Sequence, residues 1–202
     1  MRTANKIIPV REQIADQIRS DIIAGDLAPN EKLNEQALAS RFGVSRGPIR
    51  DVLLQLTKEG LLVSKSNVGA SVNSVLDPEL QELMIDIRRK IEFFAIKNLK
   101  GKLTDEDFAA LDDILQRLQD AFDDGDFTEV TKADIDFHRY LVFKAGGDEL
   151  VNLWHPIVMR MRLNYQRIRQ SAECVNEHRA IAEALRNDNT REATAALKAN
   201  IR

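Results

Sequence analysis

Apolar residues at Val10, Ile14, Ile18, Ile22 and Ile23 recur at helical spacing ahead of Gly25 and predict a helix over 9–24. After a turn through GDLAPNEKL, Asn34 is placed to cap a short helix, EQALASRF, which Gly43 ends. Ser45 is then an N-cap, Pro48 sits in the first turn, and Ile49, Val52, Leu53 and Leu56 form the apolar stripe of a third helix ending at Gly60. Two short helices about a glycine-containing turn form a helix-turn-helix. The run LLVSKSNVGASV adds two β-prone segments around Lys65, Ser66 and Asn67, the signal of a hairpin. Three helices and a hairpin make a winged helix-turn-helix.

From NSVLDPEL onward the pattern changes. Asp77 as N-cap and Pro78 as first helical residue open a second region after a linker. Helical periodicity then runs over about 78–100, 105–124, 127–145, 148–170, 174–188 and from 190 onward, punctuated by Gly101, Gly125 and the pair Gly146 and Gly147. Pro156 is expected to kink or split the fourth of these. The chain therefore reads as mainly α: a winged helix-turn-helix over 1–74, then an all-α bundle of six or seven helices over 75–202.

Composition narrows the class. With 44% hydrophobic residues in 202 and no apolar run of membrane-spanning length or secretory signal, the expectation is a cytoplasmic globular protein. The single cysteine, Cys174, is read as a half-buried helical thiol. Residues 1–74 hold ten Lys and Arg against eight Asp and Glu, net +2, whereas the rest carries net −5. The first region is thus the one suited to a polyanion.

The third helix starts with cations, although its N-terminus is positively polarised. Arg46 and Arg50 lie four apart on one face. In a winged helix this element enters the major groove, where both can donate to guanine O6 and N7 while Ser45 and free amides meet phosphate. Gly47 and Pro48 keep bulk low at the groove, and Gln36 and Arg41 are further contacts. Against this stands a surface pairing of Arg50 with Asp51 or Glu35.

Polar groups on apolar stripes mark a second site. Asp134 and His138 share a face with Phe127, Leu141 and Ala145; His178 heads the stripe Ile181, Ala182 and Leu185; Arg88 lies among Met84, Ile85, Ile91 and Ala95. Burial of such groups is costly unless they converge. A carboxylate and a histidine at i, i+4 with a second helix's histidine suit zinc, nickel or manganese. A metal-free Asp–His network is the alternative, and for Arg88 a salt bridge to Glu92.

The segments IRSDIIAGDLAPNEKLNEQALASRFGVSRGPIRDVLLQLTKEGLL and SKSNVGASV resemble the GntR family of bacterial transcription regulators. RRKIE, DIDFHRYL and EHRAIAEAL resemble the branch whose second domain is the helical FCD bundle. The resemblance implies a homodimer on a palindromic operator and a small organic acid as effector. It also implies a metal set of which Asp134, His138 and His178 match three positions, with Asn200 where histidine is usual. Asn200 shares a stripe with Ala193, Ala196 and Leu197. By resemblance too, Lys65 and Gly69 are the wing's DNA contacts, Arg88 binds the acid, and Asn30 replaces a usual glycine, changing a turn. A metal-dependent hydrolase and a constitutive architectural DNA binder are the competing readings. The first leaves 9–72 unexplained, and no serine elbow or phosphate loop supports it.

Overall fold

The computed structural model describes residues 9–65, 69–163 and 173–201. The chain divides into two compact units between Val75 and Leu76.

In the first, α1 (Val10–Ala24) packs on α3 (Arg46–Lys58), with α2 (Glu35–Phe42) against α3. Ile14, Ile18, Ile49, Val52 and Leu56 are buried between them, as their spacing predicts. Val10 departs from its expected place: one residue after Pro9 it is 57% exposed. Asn34 caps α2 by accepting from the amides of Gln36 (2.8 Å) and Ala37 (3.0 Å). The wing is β2 (Leu62–Lys65) antiparallel to β3 (Gly69–Val72), with Val63 opposite Ser71. The turn expected after α1 also contains a strand, β1 (Lys32–Leu33). It adds to β3 with Leu33 opposite Ala70, giving the order β1-β3-β2. The Asn30 position keeps a glycine-like backbone, with φ 68°, because a short amide side chain tolerates the left-handed region. The Ser66–Asn67 turn lies outside the described residues.

The second unit contains α4 (Pro78–Asn98), α5 (Asp105–Asp123), α6 (Phe127–Arg162), α7 (Glu173–Arg186) and α8 (Thr190–Asn200). Asp77 caps α4 through the Leu80 amide at 2.9 Å. Thr104 and Asp107 form a reciprocal capping box on α5. Gly146 and Gly147 are the only non-helical residues inside α6, and they divide it into arms over 127–145 and 148–162. Contacts between Asp134 and Arg162, and of both His138 and Trp154 with Glu92, show that the arms fold back on each other. With six helical segments described, the expected count holds. Pro156, by contrast, does not split the second arm, because only the glycines leave helical geometry. Its i−4 partner Asn152 is exposed, so that carbonyl can turn to water. The remainder of the expected helix to 170 lies outside the described residues. The core joins Ile96 and Leu99 of α4, Leu111 and Leu115 of α5, Phe137 and Leu141 of α6, Ile181 and Leu185 of α7, and Leu197 of α8.

Gly147 has φ 62° and ψ −159°, a region that side chains enter only at a cost. Gly147→Ala is expected to destabilise the protein by about 1–3 kcal/mol, read as a lowered urea midpoint.

Candidate functional site

The N-terminus of α3 is exposed. Ser45 holds the N-cap backbone position, yet its hydroxyl makes no capping bond. Arg46 and Arg50 are 52% and 60% exposed at their side chains, but they are not without a partner: Glu35, at the start of α2, accepts from Arg46 Nη2 and Arg50 Nε, each at 2.8 Å. The surface pairing weighed against DNA contact is therefore present for both arginines, and through Glu35; Asp51 pairs with Arg11 at 3.0 Å. Hydrogen bonds from Arg46 and then Arg50 hold the Glu35 carboxyl below the usual range. An exposed arrangement of this kind stabilises little and opens readily. Arg41 donates to the buried Asp21 at 2.5 Å and stacks on Phe42, which gives it a structural role. Gln36 is exposed, and at Gly47 and Gly69 the space a Cβ would fill is open. The side chain of Lys65 lies outside the described residues.

The second unit buries a polar centre. Glu92 of α4 accepts from Arg88 Nε at 2.7 Å, Trp154 Nε1 at 2.7 Å and His138 Nδ1 at 2.6 Å. Burial opposes its charge, but Arg88 and His138 prevail and hold the carboxyl far below the usual range. Burial pushes His138 down to about 4, so its ring is neutral near pH 7. His178 Nδ1 donates to the Cys174 carbonyl at 2.7 Å. Each histidine thus turns its Nδ1 to an acceptor and presents Nε2 to the other side, and neither Nε2 makes a hydrogen bond. Donor atoms of Asp134, His138 and His178 lie within 4.8 Å of one another, with His178 Nε2 at 3.2 Å from Asp134 Oδ1. Two ring nitrogens beside a carboxylate, with the rings oriented from behind, fit a divalent cation.

Comparison with known proteins agrees with both halves. The profile for "Bacterial regulatory proteins, gntR family" matches residues 10–72, and that for the FCD domain matches 83–202. The chain belongs to the GntR family, in its FCD branch. It is a ligand-responsive DNA-binding transcriptional regulator, and the family's members are regulators rather than enzymes. It is 30% identical over 190 residues to the uncharacterized regulator YdhC of Bacillus subtilis, covering 92% of this chain and 84% of that one. It is also 24% identical over 185 residues to the repressor RspR of Escherichia coli, covering 90% and 81%. Among solved structures, E. coli McbR/YncC shares the fold, with a TM-score of 0.81 at 21% identity over 96% of this chain and 94% of that one. No helix among the described residues is long and apolar enough to cross a membrane.

Asp134, His138 and His178 come together as expected. The fourth, Asn200, is buried as its stripe predicts, and its amide donates to Glu177 at 3.2 Å. Arg88 makes the salt bridge to Glu92 that was the alternative for it. Cys174 is buried rather than half-buried, and its contribution is the backbone carbonyl. Sequence reasoning missed Glu92 as the hub and Arg162, whose Nη2 donates to Asp134 Oδ2. The signals were present: Glu92 follows Arg88 by four residues, and Arg162 continues the stripe Val151, Trp154, Val158.

Glu92→Gln leaves the Arg88 guanidinium without its counter-charge and is expected to cost about 3–5 kcal/mol, read as a lowered thermal midpoint.

Proposed function

We propose that the chain is a cytoplasmic repressor that binds a palindromic operator as a homodimer and is released by a small organic acid taken up at a metal-containing centre. Residues 1–74 form the DNA-binding domain and 75–202 the ligand-binding and dimerisation domain. The observation that carries this reading is the buried polar centre: side chains that cost stability in an apolar core persist where a ligand offsets the cost.

On the DNA, Arg46 and Arg50 exchange Glu35 for guanine edges, while Ser45, the free amides of α3, Gln36, Arg41, and the wing residues Lys65 and Gly69 face the backbone. Gly47 and Pro48 allow the close approach. Along α4, Leu80, Leu83, Ile87 and Phe94 follow a heptad-like spacing, and Leu83 and Phe94 are more than half exposed, which supports a second copy as their cover.

In the centre, Asp134, His138 and His178 would hold zinc, nickel or manganese, and the ion would supply open positions for a carboxylate oxygen. Asn200 is a weaker fourth donor than histidine. Arg88 spends Nε on Glu92, and its Nη groups are suited to the same carboxylate. α4 follows directly on the linker from the DNA-binding domain, so acid binding is coupled to operator affinity.

Arg50→Ala and Arg46→Ala are each expected to weaken specific binding by about 1–3 kcal/mol and to relax base preference, measured by selection from random duplexes. Full retention of selectivity by the double variant overturns the assignment. Calorimetric titration with succinate and related acids is expected to give affinities differing by about 5–150-fold with and without the selected duplex. Arg88→Lys preserves a partner for Glu92 while removing the fork, and should abolish most of that difference. Equal affinities in both titrations favour the architectural reading.

A further inference from the structure

Asp134 is asked to serve two cations. Its Oδ2 accepts from Arg162 Nη2, and its Oδ1 belongs to the cluster it forms with His138 and His178. Arg162 is itself buried, its side chain only 4% exposed, at the end of the second arm of α6. We propose that Arg162 is an internal competitor for the metal: its guanidinium neutralises Asp134 in the ion-free centre and must give up that carboxylate when a divalent ion enters. The proposal rests on the reading of Asp134, His138 and His178 as a metal centre.

Charge balance is the first support. Among the described residues, the two buried acids of the centre are each met by a buried arginine, Glu92 by Arg88 and Asp134 by Arg162. A divalent ion adds two positive charges beside a carboxylate that Arg162 already meets. Glu92 is already shared by Arg88, His138 and Trp154. The cation attached to the ion's own ligand is the one whose departure relieves most repulsion.

The second support is what the guanidinium leaves undone. It satisfies Asp134, yet the Nε2 atoms of His138 and His178 remain buried with no hydrogen-bond partner. An ion would serve the carboxylate and both rings together. The centre therefore has two partial solutions, one complete in charge and one complete in coordination, and Arg162 sets the threshold between them. A purely positioning role for Arg162 makes the opposite demand, since loss of the residue would then loosen Asp134 and weaken the ion's hold.

The test is zinc affinity of the full-length chain by competition with a chromogenic chelator, with thermal midpoints in parallel. Arg162→Gln removes the charge but keeps a donor for Asp134, and is expected to bind zinc at least ten-fold tighter than wild type and to gain more in midpoint from zinc. Arg162→Lys keeps the charge and should stay within about three-fold of wild type. Equal or weaker binding by Arg162→Gln, with wild type binding zinc, overturns the competition while leaving the metal centre standing. So does equal tightening by Gln and Lys, which would indicate space rather than charge. Absence of zinc binding in wild type and both variants removes the metal reading and the proposal with it. If Arg162→Gln is unfolded without zinc, recovery of its native circular dichroism on zinc addition, abolished by adding His138→Ala, supports the proposal, and failure to recover overturns it.

Discussion

Glu92 carries its negative charge within an apolar bundle, and it remains ionised because Arg88, His138 and Trp154 converge on one carboxylate. That convergence fixes more than a charge. It ties α4 to both arms of α6, sets the His138 tautomer, and so decides which ring nitrogen faces Asp134. Breaking a buried, multiply bonded charge costs far more than breaking a surface pair. The positions of the remaining polar residues follow from this anchor and from the Cys174 carbonyl that orients His178.

The reading helix obeys the opposite rule. Arg46 and Arg50 share Glu35 at the surface, where water screens the attraction and the net gain is small. Such pairing holds two like charges near each other at little cost and yields to a stronger polyanion. The same residue types thus serve two purposes: loosely held at an interface that must exchange partners, and rigidly held in a centre that must keep its geometry.

Much of this fold is legible in the sequence because its signals are local. Asn34 and Asp77 cap where spacing places them, and Gly43 ends α2 in the left-handed region. The glycine pair at 146–147 separates two helical runs, although it does so by folding them back. Pro156 does not split its helix, because a proline's penalty depends on whether the freed carbonyl can reach water. Strand β1 was invisible because two residues carry no periodicity, and only pairing with β3 makes them a strand.

For the site, helical phase alone determined that Asp134, His138, His178, Arg88 and Asn200 face inward, since an apolar stripe states which side of a helix is buried. Which of them meet was decided by tertiary structure, because phase says nothing about depth along a neighbouring helix. Packing brought Asp134, His138 and His178 within 4.8 Å and gave Arg88 to Glu92. It also set Arg162 on Asp134 across the hairpin of α6, a contact spanning 28 residues that no local pattern encodes.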